Sequence, residues 1–214
     1  MPVNLEYGSS FGTTETHVIN VRIVDEINFP KYAEIDIANL NGDRKLVYSP
    51  GDEIRLVDDD VTDDPVIFRG KVEKIATPTD STFGSLTRLI ARDNLAELAT
   101  MQFNDSAYSE NGADATINAI IRGHAKTIGA TGINLPAVDS NTSDFESSTH
   151  TGAWTITGKN NSKTVLQTIQ ELAAADLWSS TYQLTENFGF HFYLDEDNDF
   201  HYHKNGNYPT APIG

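Results

Sequence analysis

Short runs in which apolar and polar residues alternate, each bounded by turn residues, fill the chain from Val18 to Ala91. The longest run, Val66–Ala76, places Phe68, Gly70 and Val72 on one side and mostly charged residues on the other. A period of two residues is that of a β-strand with one buried face. The pattern predicts six or seven strands with almost no helix, which is enough to curl into a small sandwich or barrel.

Turn residues separate these runs and indicate where each strand ends. Asn41-Gly42 is a strong hairpin signal, and a turn-rich break at residues 77–81 follows the longest run. After the last strand, Asp93 is placed to cap a short helix in which leucines recur three residues apart. The further predicted strands are Val18–Val24, Tyr32–Asn39, Lys45–Tyr48, Glu53–Val57 and Phe83–Ala91.

The second half of the chain combines helices with fewer strands. Isoleucines at helical spacing predict a helix that Asn111 or Asp114 caps and that ends near Ile128. The clearest helix of the chain follows, with Ser162 or Asn161 as its cap and one apolar stripe. Residues 130–151 are polar and predict a long loop. The predicted strands of this half are Ala153–Thr157 and an aromatic hairpin, Phe188–Leu194 with Phe200–His203.

These patterns predict an α+β fold that is mainly β and divide the chain into four parts. Residues 1–16 form an arm that orders only against a neighbour, and residues 17–103 form a β-barrel or sandwich domain with a short helix. Residues 104–178 are a helical and loop-rich connecting region, and residues 179–214 are a second β-hairpin region. No apolar run is long enough to cross a membrane and the start lacks a signal-peptide pattern, so we expect no membrane contact.

The charge of the chain argues against nucleic-acid binding. Fifteen lysines and arginines stand against 31 aspartates and glutamates, a formal charge of −16. Phosphate binding needs clustered cations, so a sequence-specific DNA-binding protein is not predicted. Two interpretations of the acidity stay open: a surface adapted to high salt, which the excess of Asp over Glu and the scarcity of Lys favour, and an acidic channel wall that repels passing DNA. The absence of cysteine excludes disulfides and thiolate metal sites.

Two acidic segments have the composition of cation-binding loops. Asp58–Asp64 holds five aspartates, but no glycine supplies a sharp turn, which favours a solvated hairpin loop. Asp195–Asp199 resembles the start of a calcium loop, yet Phe200 stands where that loop needs Gly and Gly206 where it needs Glu. An acidic hairpin tip is therefore the favoured interpretation of the second segment.

Histidines and one Gly-Lys pair complete the candidate sites. His191, His201 and His203 could converge on zinc because alternate residues of a strand share a face. No fourth ligand is specified, and His is common on half-exposed sheet faces, which favours ordinary sheet residues. His124 lies beside a helical apolar stripe and is interpreted as a packed residue. The Gly-Lys pair at residues 158–159 lacks the spacing and the hydroxyl of a phosphate loop. We therefore predict no catalytic, cofactor-binding or metal-binding residue and no cofactor.

An enzyme is the weaker functional class, because no nucleophile with a paired base and no acid pair in an apolar setting emerges. A hydrolase of cell-wall polymers would need two acids in a cleft, whereas the acids of this chain fall in turns. An alternative is an extracellular carbohydrate-binding or adhesive β module that uses Trp154 and Trp178 as stacking platforms. A sugar-binding sandwich has little use for the helix that begins near Ser162.

Two segments carry a resemblance to a known family. The first is a turn and strand at Ser49–Leu56, an F-x-G-x-V strand at Phe68–Val72, and a return strand ending in A-x-D before a short Leu-bearing helix. The second is the helix S-K-T-V-L-Q-T-I-Q-E-L-A at Ser162–Ala173, followed by the aromatic hairpin. Both are similar to phage tail hub proteins, the family that closes the end of a tail tube.

This resemblance implies a structural role without catalysis. It implies a virion protein at the tail tip or baseplate, with a β-barrel related to the tail tube that joins the tube to the tip and leaves a lumen for DNA. The implied partners are copies of the same chain, as a trimer, and other tail proteins: the tail tube, distal tail and tip or fibre proteins. Viral DNA would pass without specific binding. The acidity fits a virus of a salt-loving archaeon.

Overall fold

A computed structural model describes residues 3–39, 47–60, 65–80, 82–103, 108–128, 132–135, 153–156, 163–175 and 189–204. The chain separates into two compact units, Met1–Asn94 and Leu95–Gly214. The fold is mainly β with fewer helices, as the sequence predicts. Among the described helices, none has the length and apolarity needed to span a bilayer.

The first unit is built on one antiparallel sheet. Its strands are β1 (Val3–Tyr7), β2 (Thr13–Glu15), β3 (Val18–Val24), β4 (Tyr32–Ala38), β5 (Glu53–Asp58), β6 (Val66–Ala76), β7 (Thr79–Asp80) and β8 (Gly84–Arg92). Seven of them lie in the order β2-β1-β5-β6-β8-β4-β3, and β7 pairs with β8. The sheet curls until Cα atoms of β1 and β3 lie within 8 Å of each other, although these two strands do not pair.

Alternation along each strand sends one set of side chains into a single core. The inner face is fully buried at positions such as Leu5, Ile35 and Phe68. Burial of each large apolar side chain on this face stabilises the unit by roughly 1.5–3 kcal/mol. The core residues are Leu5, Ala33, Ile35, Ile37, Tyr48, Ile54, Leu56, Phe68, Val72, Leu89 and Ala91.

Bulges and one glycine accompany the curl. The register shifts between Val72 and Lys74 where β6 pairs with β8, and a bulge raises the local twist of a strand. Gly70 lies next to this bulge and faces the backbone of Arg92; a Cβ there would be 2.7 Å from the Arg92 carbonyl carbon. β6 and β8 therefore approach each other so closely at Gly70 that no side chain fits there.

The amino-terminal residues differ from the predicted arm. Val3–Tyr7 pairs along its length with residues 54–58 and with β2, and Leu5 is fully buried. The prediction that these residues order only against a neighbour is wrong, because Val3, Leu5 and Tyr7 alternate and complete the core of their own chain. The predicted strand Lys45–Tyr48 is also wrong where it is described: Val47 and Tyr48 lie outside any strand, and the Tyr48 ring packs on Tyr7 at 4.9 Å between ring centroids.

The second unit packs three helices and an aromatic hairpin around another core. Its elements are α1 (Leu95–Thr100), β9 (Tyr108–Asn111), α2 (Ala113–Ile128), β10 (Ala153–Ile156), α3 (Val165–Ala175), β11 (Phe190–Leu194) and β12 (Phe200–Lys204). β9 pairs with β10, and β11 pairs with β12. Ile120, Ile169 and Phe192 are among the buried side chains where α2, α3 and the hairpin meet.

The start of α3 corrects the predicted cap. Thr164 and Gln167 form a capping box, in which the Thr164 hydroxyl accepts from the Gln167 amide at 3.2 Å and the Gln167 side chain accepts from the Thr164 amide at 2.9 Å. Ser162 and Asn161 lie outside the described residues, and the helix begins at Val165. Asp93 precedes α1 as expected, and its carboxylate accepts from the Lys31 amide at 3.0 Å, which ties the β3–β4 connection to the end of β8.

Candidate functional site

A ladder of ion pairs covers the outer face of the sheet. Its best-defined member is Arg88, which donates from two nitrogens to the Asp36 carboxylate at 2.7 and 2.9 Å and reaches Glu34 at 2.8 Å. Asp36 is buried, so this bidentate pair satisfies a carboxylate that would otherwise be costly. The hydrogen bonds that Arg88 donates to Asp36 raise the pKa of Arg88 above its ordinary value.

Two arginines of the ladder face each other across β5 and β6. Arg55 and Arg69 are direct cross-strand partners, an arrangement of like charges that is unfavourable on its own. Each has an acid: Arg55 pairs with Glu6, and Arg69 donates to Glu53 at 2.8 Å. The Phe11 ring lies over both guanidinium groups, at 4.7 and 5.2 Å from its centroid. Both contacts lie in the range of cation–π attraction.

The ladder limits what this face can bind. Arg92 also has an acid, Glu73 at 3.4 Å, so four of the five arginines on the described strands of the outer face are engaged by carboxylates. Arg22 is the fifth and forms no salt bridge within the described residues. Because these arginines are already paired with carboxylates, this face has little net positive charge with which to bind a phosphate backbone.

The curled sheet leaves an apolar seam beside β3. β3 pairs with β4 on one side, and in the described part of the chain no strand pairs with its other edge. A groove of about 360 Å³ runs along this edge. It is lined by Val3, Val18, Ile19, Asn20, Val21, Ile23 and Ile67. A strand edge with an apolar lining is a template for pairing with another chain.

Exposed apolar side chains mark both ends of the sheet. Ile27 and Phe29, in the β3–β4 connection, are 47% and 52% exposed. Phe83, in the β7–β8 turn, is 52% exposed, and Val47 is 41% exposed. β8 runs from the Phe83 turn to the β3–β4 connection that holds Phe29, so Phe83 and Phe29 lie at opposite ends of this strand. None of these residues was predicted as part of a surface. For Ile27 and Phe29 the available signal was an apolar side chain between two predicted strands, whereas Val47 and Phe83 lie in segments predicted as strands.

The histidine hairpin of the second unit is a stack of aromatic rings. Tyr193 and His201 stack with centroids 4.7 Å apart and planes within 1°, and His203 stacks on His201 at 5.7 Å. His191 and His203 are buried, unlike the half-exposed face that the sequence indicates. Within the described residues, no group of three His, Asp or Glu side chains is arranged to hold a metal ion.

The acidic tip of this hairpin is closed by its own hydrogen bonds. The Asp195 carboxylate accepts from the amides of Asp197 and Asp199 at 3.0 and 2.8 Å and contacts His201 Nε2 at 2.9 Å. Asn134 donates its side-chain amide to the Asp199 carboxylate at 2.8 Å. The interpretation of this segment as an acidic hairpin tip fits these contacts.

Several candidate residues fall outside the described part of the chain. Residues 61–64 of the acidic loop, the Gly-Lys pair at residues 158–159, Trp178 and Phe188 are among them, and so are the side chains of His124 and Trp154. In the part of that loop that is described, the Asp58 carboxylate accepts from the Asp60 amide at 3.1 Å.

Comparison with known proteins identifies the fold. No sequence-family profile matches the chain, and no curated protein matches it significantly. A tail protein from Neisseria meningitidis MC58 is similar in structure, with a TM-score of 0.57 and 14% identity over 93% of this chain and 50% of the other. The 43 kDa tail protein of prophage MuSo2 from Shewanella oneidensis gives a TM-score of 0.55 and 14% identity over 94% and 54%.

A third similar structure is the c3393 protein of Escherichia coli, a type VI secretion component, with a TM-score of 0.47 and 11% identity over 86% of this chain and 45% of the other. This chain spans about half the length of the tail proteins that it matches. Over nearly all of its length it has the fold of those proteins, as the resemblance of the two sequence segments implies.

Proposed function

We propose that this chain, whose fold is that of phage tail proteins, is a structural subunit of a virus tail. The observation that carries the proposal is the extent of the likeness, which covers 93% and 94% of the chain in two tail proteins. More specifically, we infer a hub in the virion that joins the tail tube to the baseplate or tip. Its partners are copies of itself, as a trimer, and the neighbouring tube, distal tail and tip or fibre proteins.

The surfaces of the first unit support a role in assembly. The seam beside β3 offers an unpaired edge with apolar side chains, which suits a strand or sheet from another subunit. The outer face has most of its described arginines matched by acids, which suits a lumen wall that lets DNA pass without holding it. No catalytic step is part of this role.

Net charge predicts how assembly responds to salt. A formal charge of −16 repels copies from one another, and this repulsion is screened over about 3 Å at 1 M salt against about 10 Å at 0.1 M. Trimers are therefore expected to form more readily in molar salt. This behaviour also fits the salt-loving host inferred from composition.

The test is the mass of the purified protein in solution, measured by light scattering at low and at molar salt. Ile19→Lys places a charge in the seam without removing a core residue, and Thr14→Lys places the same charge on the opposite edge of the sheet, at an exposed position. We expect Ile19→Lys to abolish the trimer and Thr14→Lys to form it like the parent chain. A parent chain that stays monomeric at every salt concentration refutes the proposal.

An image of the intact particle tests the location separately. Antibody labelling at the tail tip supports the hub, whereas labelling along the tube or on the capsid contradicts it. Binding of the purified chain to a defined sugar on a glycan array would instead favour the carbohydrate-binding alternative.

A further inference from the structure

A groove at one end of the sheet combines positive charge with aromatic rings. This end groove has a volume of about 380 Å³, within the roughly 300–1,000 Å³ of ligand-binding pockets. It is lined by Arg22, Val24, Glu26, Phe29, Pro30, Tyr32 and Arg92. Arg22 is exposed and, within the described residues, forms no salt bridge. In a chain of formal charge −16, such an arginine is positioned to attract an acid from outside the molecule.

The walls of the end groove are held in place before anything binds. The Phe29 amide donates to the Glu26 carbonyl at 3.1 Å, and Asn28 has φ 66°, so the connection is a hydrogen-bonded turn with a left-handed residue at its third position. Asp93 and Lys31 exchange two hydrogen bonds that fix the end of the turn. A groove ordered in advance loses little conformational entropy on binding.

The other end of β8 presents a complementary feature, the Phe83 tip (Thr79, Asp80 and Thr82–Gly84). The Oδ1 atom of Asp80 accepts from the Thr82 and Phe83 amides at 2.7 and 2.9 Å, which fixes the turn. The Asp80 Oδ2 atom makes no hydrogen bond in the described part of the chain, and the Phe83 ring is 52% exposed. The tip therefore offers an aromatic ring beside an available carboxylate oxygen.

The tip and the groove cannot meet within one molecule. They lie at opposite ends of β8, whose nine residues span about 27 Å at roughly 3.4 Å per residue. A contact between them must therefore join two molecules. It would use different surfaces on the two copies, which is a heterologous interface.

We propose that the Phe83 tip of one copy docks in the end groove of a second copy of this chain. The Phe83 ring packs against Phe29 and Tyr32, and the Asp80 carboxylate pairs with Arg22. An aromatic anchor in a preformed pocket beside a charged pair is the composition of an interface hot spot. The contact joins molecules end to end along the strand direction and uses no residue of the seam beside β3. The proposal therefore does not depend on the proposed role in a virus tail.

Two variants separate the two halves of the contact. Phe83→Ala removes the anchor of the tip and keeps Asp80, which holds the turn, while Arg22→Glu reverses the charge of the groove. Ile27→Ala is the matched control, because Ile27 is 47% exposed in the same turn as Phe29 but does not line the groove. Circular dichroism establishes that each variant is folded.

The measurement is sedimentation equilibrium over a range of concentrations, with every variant built in the Ile19→Lys background that removes the seam contact. We expect Phe83→Ala and Arg22→Glu each to weaken association about tenfold or more, and Ile27→Ala to leave it unchanged. Because one variant keeps an intact groove and the other an intact tip, their mixture should form a one-to-one complex that neither forms alone.

The outcomes distinguish this proposal from the proposed function. If the Ile19→Lys chain shows no association, or if Phe83→Ala and Arg22→Glu associate as strongly as Ile27→Ala, the tip-to-groove contact is refuted and the seam is unaffected. If Ile19→Lys leaves the trimer intact, the seam is refuted and the tip-to-groove result still holds. A mixture that forms no complex also refutes the docking of tip and groove.

Discussion

Gly70 is the position where a single methyl group should damage the first unit most. A Cβ built on Gly70 lies 2.7 Å from the Arg92 carbonyl carbon and 2.8 Å from the Phe68 ring, and it is closer still to the Arg92 carbonyl oxygen. Phe68 is fully buried, so its ring has no room to move away. The Arg92 carbonyl belongs to β8, which pairs with both β4 and β6 at this residue, so relief requires a shift of the sheet itself.

The expected cost of Gly70→Ala follows from this geometry. In a strand without steric conflict, Gly→Ala stabilises by about 0.5–1 kcal/mol, because the unfolded chain loses freedom. Inserting a methyl group into a packed site costs about 1–3 kcal/mol, and more when backbone must move. Since the obstacle here is backbone on one side and a buried ring on the other, we expect a cost of about 3 kcal/mol, which leaves a net loss of about 2 kcal/mol.

Urea unfolding followed by circular dichroism measures the loss, and hydrogen exchange of peptides from residues 53–92 locates it. Gly51→Ala is the control, because nothing lies within 4 Å of a Cβ at Gly51 and its φ of +95° is left-handed. That variant isolates backbone strain, about 1–2 kcal/mol. If Gly70→Ala is as stable as the parent chain, or exchange slows in these peptides, the argument from close approach is wrong.

Three further predictions test the charges and the hairpin. Arg88→Ala leaves the buried Asp36 carboxylate without its bidentate partner, so we expect the free energy of unfolding in urea to fall by about 1–3 kcal/mol. Arg88→Lys should be intermediate. Equal stability of the parent chain and both variants would contradict a stabilising role for this ion pair. Hydrogen bonds from the Phe83 and Thr82 amides lower the pKa of Asp80. These hydrogen bonds stabilise the turn fully above the ordinary aspartate pKa, and the stabilisation is lost as pH falls through the lowered pKa. The Phe83 amide resonance should follow that titration in NMR and stay flat in Asp80→Ala. We predict that zinc or a chelator leaves the melting temperature unchanged, since the rings of the hairpin stack on one another; a rise with equimolar zinc would support a metal site instead.

The strands of the first unit could be predicted because each has one buried face. Val18–Val24 and Val66–Ala76 have the predicted bounds, and their alternation matches the burial of the inner face. The amino-terminal strand was missed because its Gly, Ser and Thr neighbours suggest a linker, although Val3, Leu5 and Tyr7 alternate. The strand β9 was missed because four residues give too short a pattern, and its partner β10 lies about forty residues away in the chain.

The candidate surfaces could not be predicted from the sequence, because they depend on the register between strands that are distant in the chain. The pairing of Arg55 with Arg69 under Phe11 requires the alignment of two strands and the position of a separate turn. The end groove likewise joins Arg22 and Phe29 with Arg92, residues that are up to seventy positions apart. Sequence patterns predict which face of a strand is buried, but the neighbours of an exposed side chain are set by how distant strands align.

The position of the strand Val3–Tyr7 inside the sheet also dictates an order of events during synthesis. Its short hairpin with Thr13–Glu15 is complete early, but a two-stranded ribbon is only marginally stable in water. The partner on its other side ends at Asp58, which leaves the ribosome some forty residues later, about 2–9 s at ordinary elongation rates. During that interval the core that buries Leu5 has not yet formed. The nascent chain therefore exposes an apolar strand, which we expect a chaperone to bind.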